Sequence, residues 1–236
     1  MNVPSNMTGP LGIYEQSSTI PGGLVLGQKK EFVDGRIYRL AKNGAAEAAV
    51  GKLLIQGDEV ANHVGITPTA AAIGARKVTV TLGATLATAN QYQDGFLVIR
   101  TTGKSYKIKS HPAAALSTAL VLELYDPLDV ALAGTEEADL VANPYNGLVI
   151  AVTDQADIPR GIPIITVTAA YYFWLQTKGP CACLMDENIT RGKAVTAGTS
   201  VAASLEMLDA AGEALIGHMI EAGVDTKYNL VDLCID

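Results

Sequence analysis

The residues of this chain that could carry chemistry are few and far apart. Cys181-x-Cys183 puts two thiols on one face of an extended segment, which is half of a zinc site, but a tetrahedral centre needs further ligands at a compatible spacing. The histidines, His63, His111 and His218, are scattered, so buried structural thiols are the better reading, with Cys234 as the odd third cysteine. Asp126, Asp129, Asp154 and Asp157 stand at the ends of predicted strands, where acids are ordinary turn residues. Glu136-Glu137 with Asp139 reads as a charged loop tip, and His111, just before Pro112, as a lone loop histidine. No Gly-x-Ser-x-Gly elbow is present to expose a nucleophilic serine. Gly192-Lys193 and Gly198-Thr199-Ser200 lack the glycine-led run that lets backbone amides cradle a phosphate. The residues therefore predict a protein that is not an enzyme, with no catalytic residue, no metal and no cofactor.

Composition narrows the class further. Hydrophobic residues make up 49% and charged residues 17% of 236, which is too apolar and too weakly charged for a disordered chain. The apolar content is mostly small: aromatics are 6%, while 23 Gly and 10 Pro punctuate the chain, as suits tightly packed strands and turns. A net charge of −7 offers no electrostatic footprint for a phosphate backbone, so no nucleic-acid partner is expected. Little charge on a positive mean hydropathy fits either an Ala-rich core or apolar surface covered by a partner. The first ten residues lack the basic and apolar regions of a signal peptide, and the longest apolar run, 162–175, is broken by Pro163. A chain kept inside a cell, with no membrane partner, is the expectation, so the glycosylation triplets Asn6-Met7-Thr8 and Asn188-Ile189-Thr190 would go unused.

The elements that must position these residues read as strands. Residues 76–82 alternate, with Val78, Val80 and Leu82 on one face and Lys77, Thr79 and Thr81 on the other. Residues 96–101 follow the turn dipeptide Asp94-Gly95, and 105–109 set Tyr106 and Ile108 against Ser105, Lys107 and Lys109. Residues 119–125 place Leu120, Leu122 and Leu124 on one side, and Asp126-Pro127 ends the run. Further strands are predicted at 32–40, 130–132, 148–153, 182–185, 193–195, 201–208, 215–220 and 228–235, and the one helix candidate is Ala-rich 41–54, weakened by Gly44 and Gly51. Short strands at short intervals are the pattern of a sandwich or barrel.

The bulkiest stretch is Tyr171-Tyr172-Phe173-Trp174-Leu175-Gln176-Thr177-Lys178-Gly179-Pro180, which holds the only Trp. As a strand it points Tyr171, Phe173 and Leu175 one way and Tyr172, Trp174 and Gln176 the other, so it is covered on both sides or lies at a subunit contact. Gly179-Pro180 is expected to stop it. Residues 1–30 are rich in Pro, Gly, Ser and Thr, but Leu11, Ile13, Ile20 and Leu24 would not be left in water, which predicts an extended arm lying over a neighbour. The predicted organisation is mainly β with little helix. It has an N-terminal arm (1–30), a β-sandwich or barrel body (31–170) and a small C-terminal β-barrel-like domain (171–236). Leu11, Ile13, Tyr14, Ile20, Leu24, Tyr171, Phe173 and Trp174 are the expected interface residues.

The aromatic strand does not stand alone. Together with Ala89-Asn90-Gln91-Tyr92-Gln93-Asp94-Gly95-Phe96-Leu97-Val98, Tyr106-Lys107-Ile108-Lys109-Ser110-His111-Pro112, Ala142-Asn143-Pro144-Tyr145-Asn146 and the ending from Gly217-His218 through Gly223-Val224-Asp225-Thr226-Lys227-Tyr228, it resembles the capsid decoration, or head cement, proteins of tailed bacteriophages. The resemblance covers about residues 75–236 and rests on structural rather than catalytic motifs. It implies a β-rich virion protein, assembled in the host cytoplasm, on the outer capsid surface. Its partners would be the major capsid protein and two further copies of itself, at three-fold or quasi-three-fold positions where the symmetries match. A head fibre, spike or glycan- and receptor-binding module is the alternative, which an exposed aromatic platform would favour.

Overall fold

The computed structural model describes residues 11–153 and 158–236. Asp154, Asp157, Asn6-Met7-Thr8 and the first ten residues of the predicted arm lie outside them. Strand follows strand in chain order. The first are β1 (Gln16–Ser17), β2 (Lys29–Glu31), β3 (Ile37–Asn43) and β4 (Leu54–Ile55). Then come β5 (Lys77–Thr81), β6 (Phe96–Ile99), β7 (Lys104–Ser110), β8 (Ala119–Leu124) and β9 (Ala138–Val141). The last are β10 (Asn146–Ile150), β11 (Pro159–Pro163), β12 (Tyr172–Leu184), β13 (Ala194–Ala197), β14 (Leu205–Met207), β15 (Gly217–Met219) and β16 (Tyr228–Cys234). One single-turn 3-10 helix, Ala61–His63, is the only helical element among the described residues. The mainly β expectation with little helix therefore stands.

The chain forms two compact units: Asp58–Asn143, and the segments before and after it, up to Gly57 and from Pro144. In the inserted unit the strands pair in the order β5-β8-β7-β6-β9. Residues 66–71 bring the ends together, with Ile66 bridging to Ala138 of β9 and Pro68 to Val80 of β5. The Ile66 N–H donates to Ala138 O at 2.9 Å and the Thr69 N–H to Thr79 O at 2.8 Å. The alternating residues named from sequence fill this barrel: Val78, Val80, Ile108, Leu120, Leu122 and Leu124 are all buried, and Leu97 and Ile99 of β6 join them. Gly95 allows the closure of β6 on β9, because a Cβ there would lie 2.3 Å from Val141 O.

The other unit is held together by pairings between its two chain segments. They run from β3 to β12, β11, β4, β10 and back to β3. Ala41, Leu54, Leu148, Val167, Phe173 and Leu175 pack together there. From the far half of β12 the sheet continues through β16, β15, β13 and β14. Its core there is Leu53, Cys181, Cys183, Met185, Val195, Leu205, Ile216, Val231 and Leu233.

Several expectations are corrected. The helix at 41–54 is absent: Ala41 is fully buried opposite Phe173, Ala48 bridges to Val167, and a Cβ on Gly44 would lie 2.5 Å from Leu148 O. The small residues serve close strand packing, which overrides alanine's helix propensity. Gly179-Pro180 does not end the aromatic strand, which runs through to Leu184. Past Lys178 the strand loses its pairing with β3 and keeps that with β16, so one edge can carry a residue without an N–H. A break at 170/171 is replaced by the insertion boundaries, since β12 belongs at once to the β3 pairing and to the C-terminal sheet. The strand expected at 130–132 reduces to a bridge from Leu132 to Ala71, and that at 201–208 to Leu205–Met207.

Candidate functional site

Trp174 sits in the middle of β12 and its alternate neighbours face different cores. Phe173 and Leu175 pack with Ala41, Leu54 and Leu148, while Trp174 packs with Leu11, Ile13, Phe32, Tyr38 and Leu40. The second cluster is closed by the N-terminal segment. Gln16 and Ser17 pair with Phe173 and Tyr172 as a short antiparallel strand. The Trp174 indole N–H donates to the Leu11 carbonyl at 3.0 Å, and the Lys30 ammonium donates to the same oxygen at 3.1 Å while lying 4.5 Å from the indole centroid. A buried indole must find an acceptor, and here the acceptor is backbone that would otherwise be free to leave. Burial holds the Lys30 pKa below the usual ammonium range, with Glu15 opposing that shift. Burial likewise pushes the Tyr38 phenol up to about 12, although the Arg36 guanidinium donates to its oxygen at 3.1 Å.

This changes the reading of the interface residues. Leu11, Ile13, Phe173 and Trp174 are buried within their own chain, and Ile20, Leu24 and Tyr171 are half-buried against the same two clusters. Residues 11–26 are therefore folded back on their own sheet rather than extended over a neighbour. Of the eight, Tyr14 alone is freely exposed, at 68%. The strand is covered on both faces, which was one of the two readings its bulk allowed.

In the inserted unit two of the scattered histidines come together around Tyr92. The His63 and His111 rings lie 5.6 and 5.7 Å from the Tyr92 ring. Thr85 O can only accept, so His63 Nε2–H donates to it at 2.9 Å, which leaves Nδ1 to accept the Tyr92 hydroxyl proton. His111 is fixed in the opposite tautomer: Nε2 accepts the Tyr92 N–H at 2.9 Å and Nδ1–H donates to Pro112 O at 2.8 Å. Burial lowers the His111 pKa and raises that of Tyr92. Both rings thus use both nitrogens inside the fold, and neither presents a lone pair to a substrate. Spacing alone missed this cluster, because residues 63, 92 and 111 meet only when the barrel closes.

Most of the remaining candidates also close on their own fold. Asp129 accepts from Tyr106 and Lys104, each at 2.5 Å, and these hydrogen bonds hold its carboxyl below the usual range. Glu136 caps the amides of Ala133, Gly134 and Thr135, and Asp139 pairs with Arg100 at 2.7 Å. Cys181 and Cys183 are buried, with Cys183 Sγ 3.6 Å from the Cys181 carbonyl and its pKa raised by burial. His218 and Cys234 lie exposed on β15 and β16. One residue that sequence reasoning passed over stands out: Arg160, half-buried between Pro159 and Gly161 on β11, has no carboxylate partner among the described residues. The only sequence signal for it was an arginine set in a Pro-x-Gly frame. No family model, curated protein or solved structure matches this chain.

Proposed function

We propose that this chain is a structural protein of a tailed-phage virion that binds the outer surface of the capsid and cements the shell, as a trimer at three-fold or quasi-three-fold positions. The observation that carries the reading is the use made of polar side chains. The acids and histidines singled out from sequence within the barrel unit mostly close a loop or satisfy a buried neighbour, while Tyr14, Val33, Ile73, Leu86 and Leu116 are more than half exposed. Leu86 and Leu116 stand on two loops joined by the Ala87–Ala114 bridge, so apolar side chains gather on one part of the barrel. Such side chains suit contact with protein, and a trimer touching several shell subunits would gain from multivalency without a strong single contact. The resemblance of residues 75–236 supplies the capsid as that protein.

The test is to mix the purified chain with capsids that lack it. Saturable binding at an icosahedral stoichiometry, with trimers by light scattering in solution or on the shell, is the expected result. Binding to glycans without binding to capsids would favour the receptor-module reading, and a monomer in both settings would remove the trimer.

A further inference from the structure

Arg160 differs from the two other half-buried arginines of its unit. Arg36 pairs with Asp34 at 2.8 Å and Arg39 with Asp236 at 2.7 Å, whereas no carboxylate among the described residues meets Arg160. The backbone puts it there by a shift of register. Pro159 pairs with Ile55 and Gly161 with Leu54, so Arg160 is the extra residue of a bulge, the device that re-aims a side chain. Gly161 makes the bulge possible: its φ is +152°, and a Cβ would lie 2.4 Å from Gln176 O.

The guanidinium is half satisfied. Its carbon lies 5.8 Å from the centroid of the Tyr145 ring, Nη2 donates to Gln56 Oε1, and Nε is shielded from solvent with no acceptor among the described residues. Nε and Nη2 form a parallel two-donor edge whose natural complement is an anion with two coplanar oxygens. Gln56 provides one neutral oxygen for that edge. A buried cation without a counter-charge is costly, and burial indeed holds the Arg160 pKa below the ordinary guanidinium value. Gln56 follows β4 and is itself half-buried, so its amide can swing out and uncover the edge.

We propose that Arg160, stacked on Tyr145 and covered by Gln56, is a binding site for a carboxylate, either that of a small free acid or that of an acidic side chain on a partner protein. The anion displaces the Gln56 amide, takes Nε–H and Nη2–H together, and neutralises the buried charge. The site does not depend on the capsid reading.

The experiment follows the arginine Nε–H resonances of the full chain during titration with sodium acetate, with sodium chloride at equal ionic strength as control. The Arg160 signal is assigned by its loss in Arg160→Met. A saturable shift of that signal with acetate alone, and a rise in Tm with acetate that Arg160→Met abolishes, are expected. Gln56→Ala should tighten acetate binding by removing the competing oxygen. Arg160→Lys, which keeps the charge without the fork, should weaken it about tenfold. A glutamate-containing peptide that binds more tightly than acetate assigns the site to a partner's side chain, and equal affinity assigns it to a free acid. An Arg160 signal that does not move or that moves equally with chloride, or an acetate-dependent rise in Tm as large in Arg160→Lys as in the parent, would overturn the proposal.

Discussion

In the barrel of Asp58–Asn143 two of the four strand pairings, β6 to β7 and β7 to β8, join consecutive strands, and the other two, β5 to β8 and β6 to β9, stay within the same stretch of the chain. In the other unit the most extensive pairing of β3 is with β12, and the whole of the barrel lies between them in the chain. The two regions also bury their polar groups differently. The barrel keeps a histidine–tyrosine network among aliphatic side chains, each nitrogen satisfied. The long-range sheet seals an aromatic face with its own N-terminal segment, pinned by two donors on one carbonyl. Where pairing is local, alternation sets most of the register, with one shift between Ile108 and Ser110 in the β7–β8 pair. Where it is distant, cover and terminal contacts are added.

This contrast can be broken or sharpened by measurement. Trp174→Ala should have the largest effect, about 3–5 kcal/mol lost in denaturant unfolding, because it empties a packed site and removes one donor from Leu11 O. The parent protein should show blue-shifted emission from this residue, and emission like that of free indole would contradict its burial. For the same reason, removal of residues 1–30 should destabilise the fold, whereas an arm lying only on a neighbour could be removed without that cost.

In the barrel, Tyr92→Phe leaves His63 Nδ1 without its donor and should cost about 1–3 kcal/mol, the cost of an orphaned buried group. An unchanged midpoint would show that the network contributes nothing.

A smaller effect separates the two regions by pH. His111 is held neutral in the fold, below its ordinary value of 6.5, so its contribution is fully present above 6.5. As pH falls below that, the unfolded chain takes up the proton first, and stability declines until the folded pKa is passed. The Arg39–Asp236 pair acts lower. Hydrogen bonding to Arg39 depresses Asp236 below 3.8, so its contribution is present above 3.8 and is lost as pH falls through the depressed folded value. Thermal melts between pH 7 and 5 should therefore decline in the parent and flatten in His111→Gln. A decline that persists unchanged in the variant would assign it elsewhere. Tyr14→Ala should change stability least, within about 0.5 kcal/mol, since the side chain is exposed, and any loss of capsid binding would then report contact rather than folding.

The legible parts of the fold were those where a local period decides. Val78, Val80, Leu120, Leu122 and Leu124 could be assigned to one buried face because side chains alternate and the strands are short. The two faces of residues 171–176 could be assigned in the same way, but not what covers them, nor that the strand runs on to Leu184. The Ala-rich stretch misled because propensity is weak beside tertiary packing, and the Pro180 stop misled because a strand edge tolerates the missing donor. His63, Tyr92 and His111 could be seen only as separate residues, and Arg160 hardly at all.

By itself, then, the sequence determined a β protein, the inward residues of its regular strands, and a double-sided aromatic strand. These follow from side-chain alternation, which any extended chain must obey. Only the tertiary structure decided that the N-terminal segment covers Trp174, that one barrel is inserted into the other unit, and that Arg160 is half-buried with no carboxylate partner among the described residues. Those depend on which distant segments pair, and that choice is made by the free energy of the whole packed chain rather than by any window of it.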